Sequence, residues 1–567
     1  MKKLVFWFCL LTVSLQAQEL KKVIGVHLLD YNTDEDLITL ANDLDGLKKL
    51  GVNTLFLEVD YHFNFSSHPE LISKNGAITK LGAEKFTRIA IGKGFEIIPQ
   101  FQCLGHQSWA KNTWELLTVY PELDLTPGAF PNNDSIYCRE WDVMNPKVNE
   151  IVFPMIEEIL EAFNAKGVHL GMDEVFLLGH KKSPSTKGMD PSFLFGKVVR
   201  EFHDHFTKKK NKQLYMWGDR LIDARKYGYG SWEASLNGTY EAIDSIPKDI
   251  IICDWHYRTQ NEYPSINLFI DRGFRVLPCS WKDSDAANAL IRYSFAKQDS
   301  NMLGHLYTLW GAVKKDELLS FESMVTGMET IKLEKYHEVF IAQKGISKKG
   351  DLFMELKTAN PELEIRYTLD GSEPTVSSLL YSAPFEYQKG NEVKAIPVKN
   401  GIVLGEVSQA EFVVHKAIGK KITLLSKASD KYAAELQENT LVNGVEFTLS
   451  YADGQWLGFE GEDCELVIDL EEKQKITSVS MHFHNKVNDW VHHPLEVIVY
   501  GSKDGETFTE IGKVNKRKTG RAILAFNIPV DAKVQYVKVV AKNQIIPEGF
   551  NGAGSPAWIF VDEIVIE

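Results

Sequence analysis

A chain of 567 residues with 44% hydrophobic content carries enough apolar sequence to fill more than one core. That excludes an intrinsically disordered protein and predicts about two to four domains. The formal net charge of -14 comes without a basic stripe, which argues against a nucleic-acid partner and mildly against polyanionic substrates.

In chain order, Lys2-Lys3, the apolar run Leu4 to Leu15 and the small residue Ala17 read as a secretory signal peptide spanning residues 1–17. An exported protein, periplasmic or extracellular, is therefore expected. The run is too short to span a bilayer, and no later segment offers about eighteen uninterrupted apolar residues, so no membrane span is expected. Cys9 follows bulky Trp7 and Phe8, whereas a lipoprotein attachment site calls for small residues there. The remaining cysteines, Cys103, Cys138, Cys253, Cys279 and Cys464, are odd in number and widely spaced. They read as buried thiols rather than a disulfide framework, and no zinc-type spacing occurs, so neither metal nor cofactor is expected.

Residues 18–340 alternate apolar, strand-like runs with segments of helical period. The runs are Val23 to Leu29, Asn53 to Val59, Phe95 to Gln102, Gly167 to Met172, Gln213 to Trp217, Asp249 to Cys253, Phe274 to Cys279 and Gly304 to Leu309. Between them, Leu37, Leu40, Leu44 and Leu47 recur at helical spacing, as do Val148, Ile151, Met155 and Ile159. This alternation predicts an α/β fold, a closed (β/α)8 TIM barrel, whose active face lies at the C-terminal ends of the strands. Residues 341–416 change to short alternating strands with turn signals such as Asp370-Gly371-Ser372-Glu373-Pro374, and predict a small β-sandwich. Residues 417–567 predict a second all-β domain, a jelly-roll of about eight strands.

The strand ends define what the active face can hold. Asp30 and Asn32 follow the first run, Glu58 and Asp60 end the second, and Gly105-His106 follow the third. The fourth, Gly167-Val168-His169-Leu170-Gly171-Met172, delivers Asp173-Glu174 between two buried stretches, an expensive place for charge without a use. Trp217-Gly218-Asp219, Trp255-His256-Tyr257, Ser280-Trp281 and Trp310 complete the ring. Tryptophans beside carboxylates suit the apolar face and the hydroxyls of a sugar. His106 reads either as a structural histidine bridging two strands or as a functional one oriented by Glu58 or Asp60.

His169-Leu170-Gly171-Met172-Asp173-Glu174 resembles the His-x-Gly-x-Asp-Glu signature of family 20 glycoside hydrolases, the β-N-acetylhexosaminidases. Ile97-Ile98-Pro99-Gln100 with Gly105-His106, and Trp217-Gly218-Asp219, are similar to two further motifs of that family. Leu57-Glu58-Val59-Asp60 and the stretch His169 to Gly179 resemble most the branch containing hexosaminidase D. The block Ile365 to Tyr381 resembles the small C-terminal domain of chitobiase-type enzymes, and the last domain a discoidin-like, coagulation-factor type C module.

The resemblance implies retaining, substrate-assisted hydrolysis of terminal β-linked GlcNAc or GalNAc by an exo-acting enzyme. Glu174 would be the general acid and base, while Asp173 would hold the substrate's 2-acetamido N–H. Adjacent side chains on a regular strand point to opposite faces, so the two carboxyls form a close pair only if the strand end distorts. Tyr257 is expected on the acetamido oxygen, and Trp217, Trp281 and Trp310 around the acetamido methyl and the sugar face. His106, Glu58, Asp60 and Asp219 are the further substrate-binding candidates.

The chain departs from the family pattern where Asp30 is followed by Tyr31-Asn32-Thr33 with no arginine, and where Trp310-Gly311-Ala312 lacks an acid. Two other readings stay open, a catalytically silent glycan-binding protein and a glycosidase whose nucleophile is Glu58 or Asp60. In the last domain, Trp456, Phe459, Trp490, His492 and His493 are candidate sugar-stacking residues, against a purely structural role. The expected partner is an N-acetylhexosamine-terminated glycan; the sequence leaves the oligomeric state open.

Overall fold

The computed structural model describes residues 22–567 apart from 312–314, 347–351, 388–391, 411, 433–435, 447, 449 and 516–521. The expected signal peptide and Ala312 lie outside the described residues. Eight strands close into a parallel barrel: β1 (Val23–Leu28), β2 (Thr54–Glu58), β3 (Glu96–Cys103), β4 (Gly167–Gly171), β5 (Gln213–Trp217), β6 (Ile251–Trp255), β7 (Arg275–Ser280) and β8 (Gly304–Thr308). Strands adjacent in sequence are adjacent in space, and β1 pairs β8 with Val23 opposite Gly304.

The helices form where the leucine spacing predicts them. Helix α1 (Asp34–Leu50) buries Leu37, Leu40, Leu44 and Leu47. It starts at a capping box between Thr33 and Asp36 and stops at Gly51, whose φ of 111° suits glycine. Helix α2 (Lys147–Ala162) buries Val148, Ile151, Met155 and Ile159 against the strands. Between β5 and β6 the regular pattern lapses: this connection holds a short helix, Ala224–Tyr227, and a 3-10 turn, Thr239–Asp244. The chain it leaves free reaches the barrel mouth.

Inside the barrel, Phe56, Ile98, Tyr215, Trp217, Ile251, Cys253, Trp255, Leu277, Cys279 and Leu306 pack into one cluster. The barrel is thus a filled core whose usable surface is its mouth. Cys103, Cys138, Cys253, Cys279 and Cys464 are buried and unbridged.

Beyond the barrel lie two small antiparallel sheets, one of three strands and one of five. A seven-stranded sheet follows, built around the long strands Cys464–His484 and Ile523–Ala541. The runs Cys464 to Asp469 and Ser478 to Phe483 are one strand, carried past irregular positions between Asp469 and Ser478 by register shifts against its neighbour. The expected sugar-stacking aromatics of this domain are mostly internal. Trp456, Phe459, His492 and His493 are buried, and of that group Trp490 alone is exposed, at 38%. Strand alternation turns Phe459 into the sandwich interior, while Trp456 closes with Val491, Trp558 and Phe560 into a satellite core.

Candidate active site

The end of β4 is where the backbone leaves ordinary strand geometry. Gly171, Met172 and Glu174 have φ of 64°, 67° and 51°. Left-handed backbone at a non-glycine residue costs on the order of 1–3 kcal/mol and persists only where the surroundings enforce it. Gly171 is required, because a Cβ there would lie 2.0 Å from the Gln102 Oε1 atom. The distortion brings two adjacent carboxyls to one partner: His106 Nε2 lies 3.1 Å from Glu174 Oε2 and 3.3 Å from Asp173 Oδ2. His106 and Leu104 themselves have φ of 52° and 66°, so the loop after β3 is bent to meet the loop after β4.

Electrostatics divide the two acids' surroundings. Burial pushes Asp173 up, but the charge of His106 and hydrogen bonds from His106 and Gln102 outweigh it and hold the carboxyl below its usual range. Gln102 Nε2 donates to Asp173 Oδ1 at 2.8 Å. Burial likewise opposes a charge on His106, yet Asp173 and hydrogen bonds to both acids lift it well above its ordinary value. Asp173 and the imidazolium it favours thus form an ion pair, with Glu174 Oε2 beside the same ring. Among the described residues, His106, Asp173 and Glu174 form the group whose donor atoms, all within 4.8 Å, have metal-ligand character.

Glu58 and Asp60 stand differently from expectation. Neither is the close partner of His106. Glu58 accepts from Gln100 Nε2 at 2.8 Å, and Asp60 from the Gln102 amide at 2.6 Å. Gln100 also meets His27 at 3.0 Å, so the amides of β3 tie the acids of β2 to Asp173. Burial, then Asp60 and Asp173, push Glu58 well up; burial also raises Asp60 to about 7, against the Gln102 hydrogen bond. The nearest carboxylates to His106 are those of β4 because its own loop turns it toward them.

Asp219 lies under the site rather than in it. It is buried, its Oδ2 accepts from the Glu174 amide at 2.9 Å, and the same oxygen takes a 2.6 Å contact from Arg220 Nε. It positions the Glu174 backbone and offers no surface to a substrate. Trp217, 0% exposed, is likewise part of the floor, 4.3 Å from the His169 ring and 5.4 Å from Trp310. It ends a strand facing the barrel interior, whereas Trp281 and Trp310 follow their strands and stay partly exposed. Trp255 is buried behind Tyr257 at 5.0 Å. The half-buried Tyr257 hydroxyl accepts from the Trp310 indole N–H, which leaves its own proton to donate, and its ring lies 5.6 Å from Trp281.

Several residues that sequence reasoning missed belong to this site. Tyr137, in the long excursion between β3 and α2, has its hydroxyl pushed up by burial and by the nearby Glu174 carboxylate. Its ring lies 5.7 Å from His106 and 4.9 Å from Trp232. The same excursion supplies Glu140, whose Oε1 accepts from the Phe176 and Leu177 amides at 2.6 Å and so fixes the chain just past Glu174. Trp232 comes from the irregular β5–β6 connection. The available signal was the segment Gly228-Tyr229-Gly230-Ser231-Trp232, aromatic and glycine-rich without helical period.

Comparison with known proteins places this geometry. Residues 62–316 match the family described as glycosyl hydrolase family 20, catalytic domain; residues 354–412 match Fn3 associated; residues 426–555 match the F5/8 type C domain. A β-hexosaminidase of Emericella nidulans is 22% identical over 265 residues, 42% of this chain and 40% of that protein. The chain therefore aligns with less than half of that curated relative. Among solved structures, the Flavobacterium johnsoniae chitobiase is similar at 17% identity and a TM-score of 0.41, over 54% of this chain and 47% of that one. A Vibrio harveyi exo-β-N-acetylglucosaminidase has the same identity and TM-score, over 54% of both chains.

Proposed function

The barrel is a glycosyl hydrolase family 20 catalytic domain, and on that premise we propose that the chain is an exported, exo-acting, retaining β-N-acetylhexosaminidase. The observation that carries this reading is the convergence of Asp173 and Glu174 on His106, with the Asp173 carboxyl held below its usual range by that ring and by Gln102. Ionised Asp173 accepts the 2-acetamido N–H of a terminal GlcNAc or GalNAc and orients the acetamido carbonyl. That oxygen attacks the anomeric carbon as the glycosidic C–O bond breaks, and Glu174 gives its proton to the leaving oxygen. Water then adds to the anomeric carbon, Glu174 takes the proton back, and the oxazoline ring opens to regenerate the acetamido group with retained configuration. Tyr257 donates to the acetamido oxygen, and Trp232, Trp281 and Trp310 wall the sugar.

The test is release of nitrophenol from β-GlcNAc and β-GalNAc glycosides. Glu174→Gln and Asp173→Asn are each expected to lower kcat by about 10²- to 10⁴-fold, the usual worth of a positioned acid or base. A thiazoline that mimics the cyclised acetamido intermediate should inhibit the wild type. Full turnover by Asp173→Asn would remove acetamido assistance. No turnover of any N-acetylhexosaminide by the wild type would leave a glycan-binding barrel.

A further inference from the structure

The β5–β6 connection is held from two sides at Gly230–Ala234. On the barrel side, the fully buried Arg220 donates to the carbonyls of Ser231, Trp232 and Ala234 at 3.0, 3.2 and 2.9 Å. Glu233, also buried, lies 2.9 Å from His256 Nδ1 and 3.1 Å from Arg258 Nε. His256 Nε2 faces Asp254 at 3.1 Å and Ser265 Oγ at 2.8 Å. This serine, histidine and acid set has the connectivity of a nucleophilic triad. It is sealed from solvent, though, and Ser265 gives its proton to Asp254 Oδ2 at 2.7 Å, so it works as a clamp on Glu233. Burial disfavours the charged imidazole, but Asp254 and Glu233 lift His256 to about 9.

On the other side stands the terminal β-sandwich. The Ser231 amide donates to the Asp430 carbonyl at 3.3 Å, and an Arg258 guanidinium N–H to the Lys431 carbonyl at 3.3 Å. The same guanidinium lies 4.8 Å from the centre of the Tyr432 ring. Approach is so close that a Cβ on Gly230 would sit 2.3 Å from the Lys431 carbonyl oxygen. The docking segment is itself anchored, since Tyr432 packs 5.1 Å from both Trp558 and Phe560, and the Lys431 ammonium pairs with Glu460 at 2.8 Å. The loop held this way presents Trp232, 4.9 Å from the Tyr137 ring, which in turn lies 5.7 Å from the His106 ring.

We propose that the terminal β-sandwich is a working part of the active site: docked on Gly230, Ser231 and Arg258, it fixes the loop that holds Trp232 against Tyr137, with Arg258 as the positioning residue. The domain thereby acts on the pocket through packing, independently of any glycan it binds. The kinetic consequence rests on the role given above to Glu174; the brace itself does not.

The full-length chain is the material for the test, with two variants that break the dock differently. Arg258→Gln removes the shared guanidinium, and Gly230→Ala wedges the surfaces apart. In both, hydrogen exchange of the segment 229–236 should quicken while the barrel strands keep their protection. Unchanged exchange overturns the brace whatever the enzyme does. On a nitrophenyl N-acetylhexosaminide, kcat/KM should fall about tenfold in Arg258→Gln and recover partly in Arg258→Lys. In a Trp232→Ala background, Arg258→Gln should cost less than about twofold more, because coupled residues are not additive. Multiplying losses in the double variant overturn the proposal, since Arg258 would then act by another route. A wild type inactive on every N-acetylhexosaminide, with faster exchange in the variants, would sink the enzymatic reading and leave the brace standing.

Discussion

At the barrel mouth, Trp232, Trp281, Trp310 and Tyr257 keep part of their rings exposed beside carboxylates, whereas in the terminal sandwich Phe459, Trp456, Trp558 and Phe560 are closed into cores. The sequence offers both sets as aromatic residues near strand ends. Topology separates them. In a parallel barrel the eight connections after the strands leave from one end, so the side chains that reach the mouth come from just past the strands. In an antiparallel sandwich, successive residues alternate between faces, and half of all aromatics must point inward. The mouth also carries left-handed backbone at Met172 and Glu174 beside carboxyl groups held in burial, such as Glu140. That is the usual signature of a region shaped by chemistry rather than by stability.

The largest expected effect tests the sandwich side of this contrast. Phe459→Ala opens a cavity in a fully buried position and should cost the terminal sandwich about 3–5 kcal/mol, read as a lower unfolding midpoint for that domain. Turnover by the folded protein should not change. An unaltered midpoint would mean that the ring is not core.

A second effect, of order 1–3 kcal/mol, tests the cost stored at the mouth. Burial raises Glu140 to about 7, with the Leu177 and Phe176 amides and Arg220 pulling it down only in part. Its folded pKa thus lies above its unfolded one. The stability it contributes is fully present below the unfolded pKa and is lost as pH rises through about 7. Glu140→Gln lacks that loss, so its Tm relative to wild type should be higher at pH 8 than at pH 5. Parallel Tm curves across that range would refute the assignment.

Much of the barrel was legible in sequence because apolar period and strand length are local signals. Asp173 and Glu174 stood out for the same reason, two charges at the end of a buried strand. Their convergence on His106 was not legible, because it depends on left-handed turns at Met172, Glu174 and His106, and Met172 and Glu174 have no preference for that region. Trp217 and Asp219 illustrate the opposite error. Their motif was plain, but whether a strand-end side chain faces the pocket or the floor is set by barrel register. Tyr137 and Trp232 were missed because they lie in irregular connections, where the positions of side chains are fixed by buried anchors, Glu140 and Arg220, far from any periodic pattern.

A third comparison is Trp281→Ala, at the mouth. Its half-buried ring beside Tyr257 is expected to be worth roughly tenfold in kcat/KM, about 1.4 kcal/mol, with both unfolding midpoints unchanged. A loss of stability without a kinetic change would place Trp281 with the sandwich aromatics instead.

The smallest effect belongs to Trp490, the exposed member of the sandwich aromatics first picked out as sugar-stacking. Its φ of 64° and the flat approach of Gly552, where a Cβ would meet the indole at 2.4 Å, hold the ring at the end of the domain. The ring is exposed, so Trp490→Ala should shift stability by less than about 0.5 kcal/mol. Turnover of a small nitrophenyl glycoside should also be unchanged, because the contact between domains runs through Lys431 and Tyr432 rather than through this tip. A tenfold fall in kcat/KM on that small substrate would break the contrast between the two regions. A fall confined to long glycans would sharpen it, by giving the tip a binding role separate from the brace on the barrel.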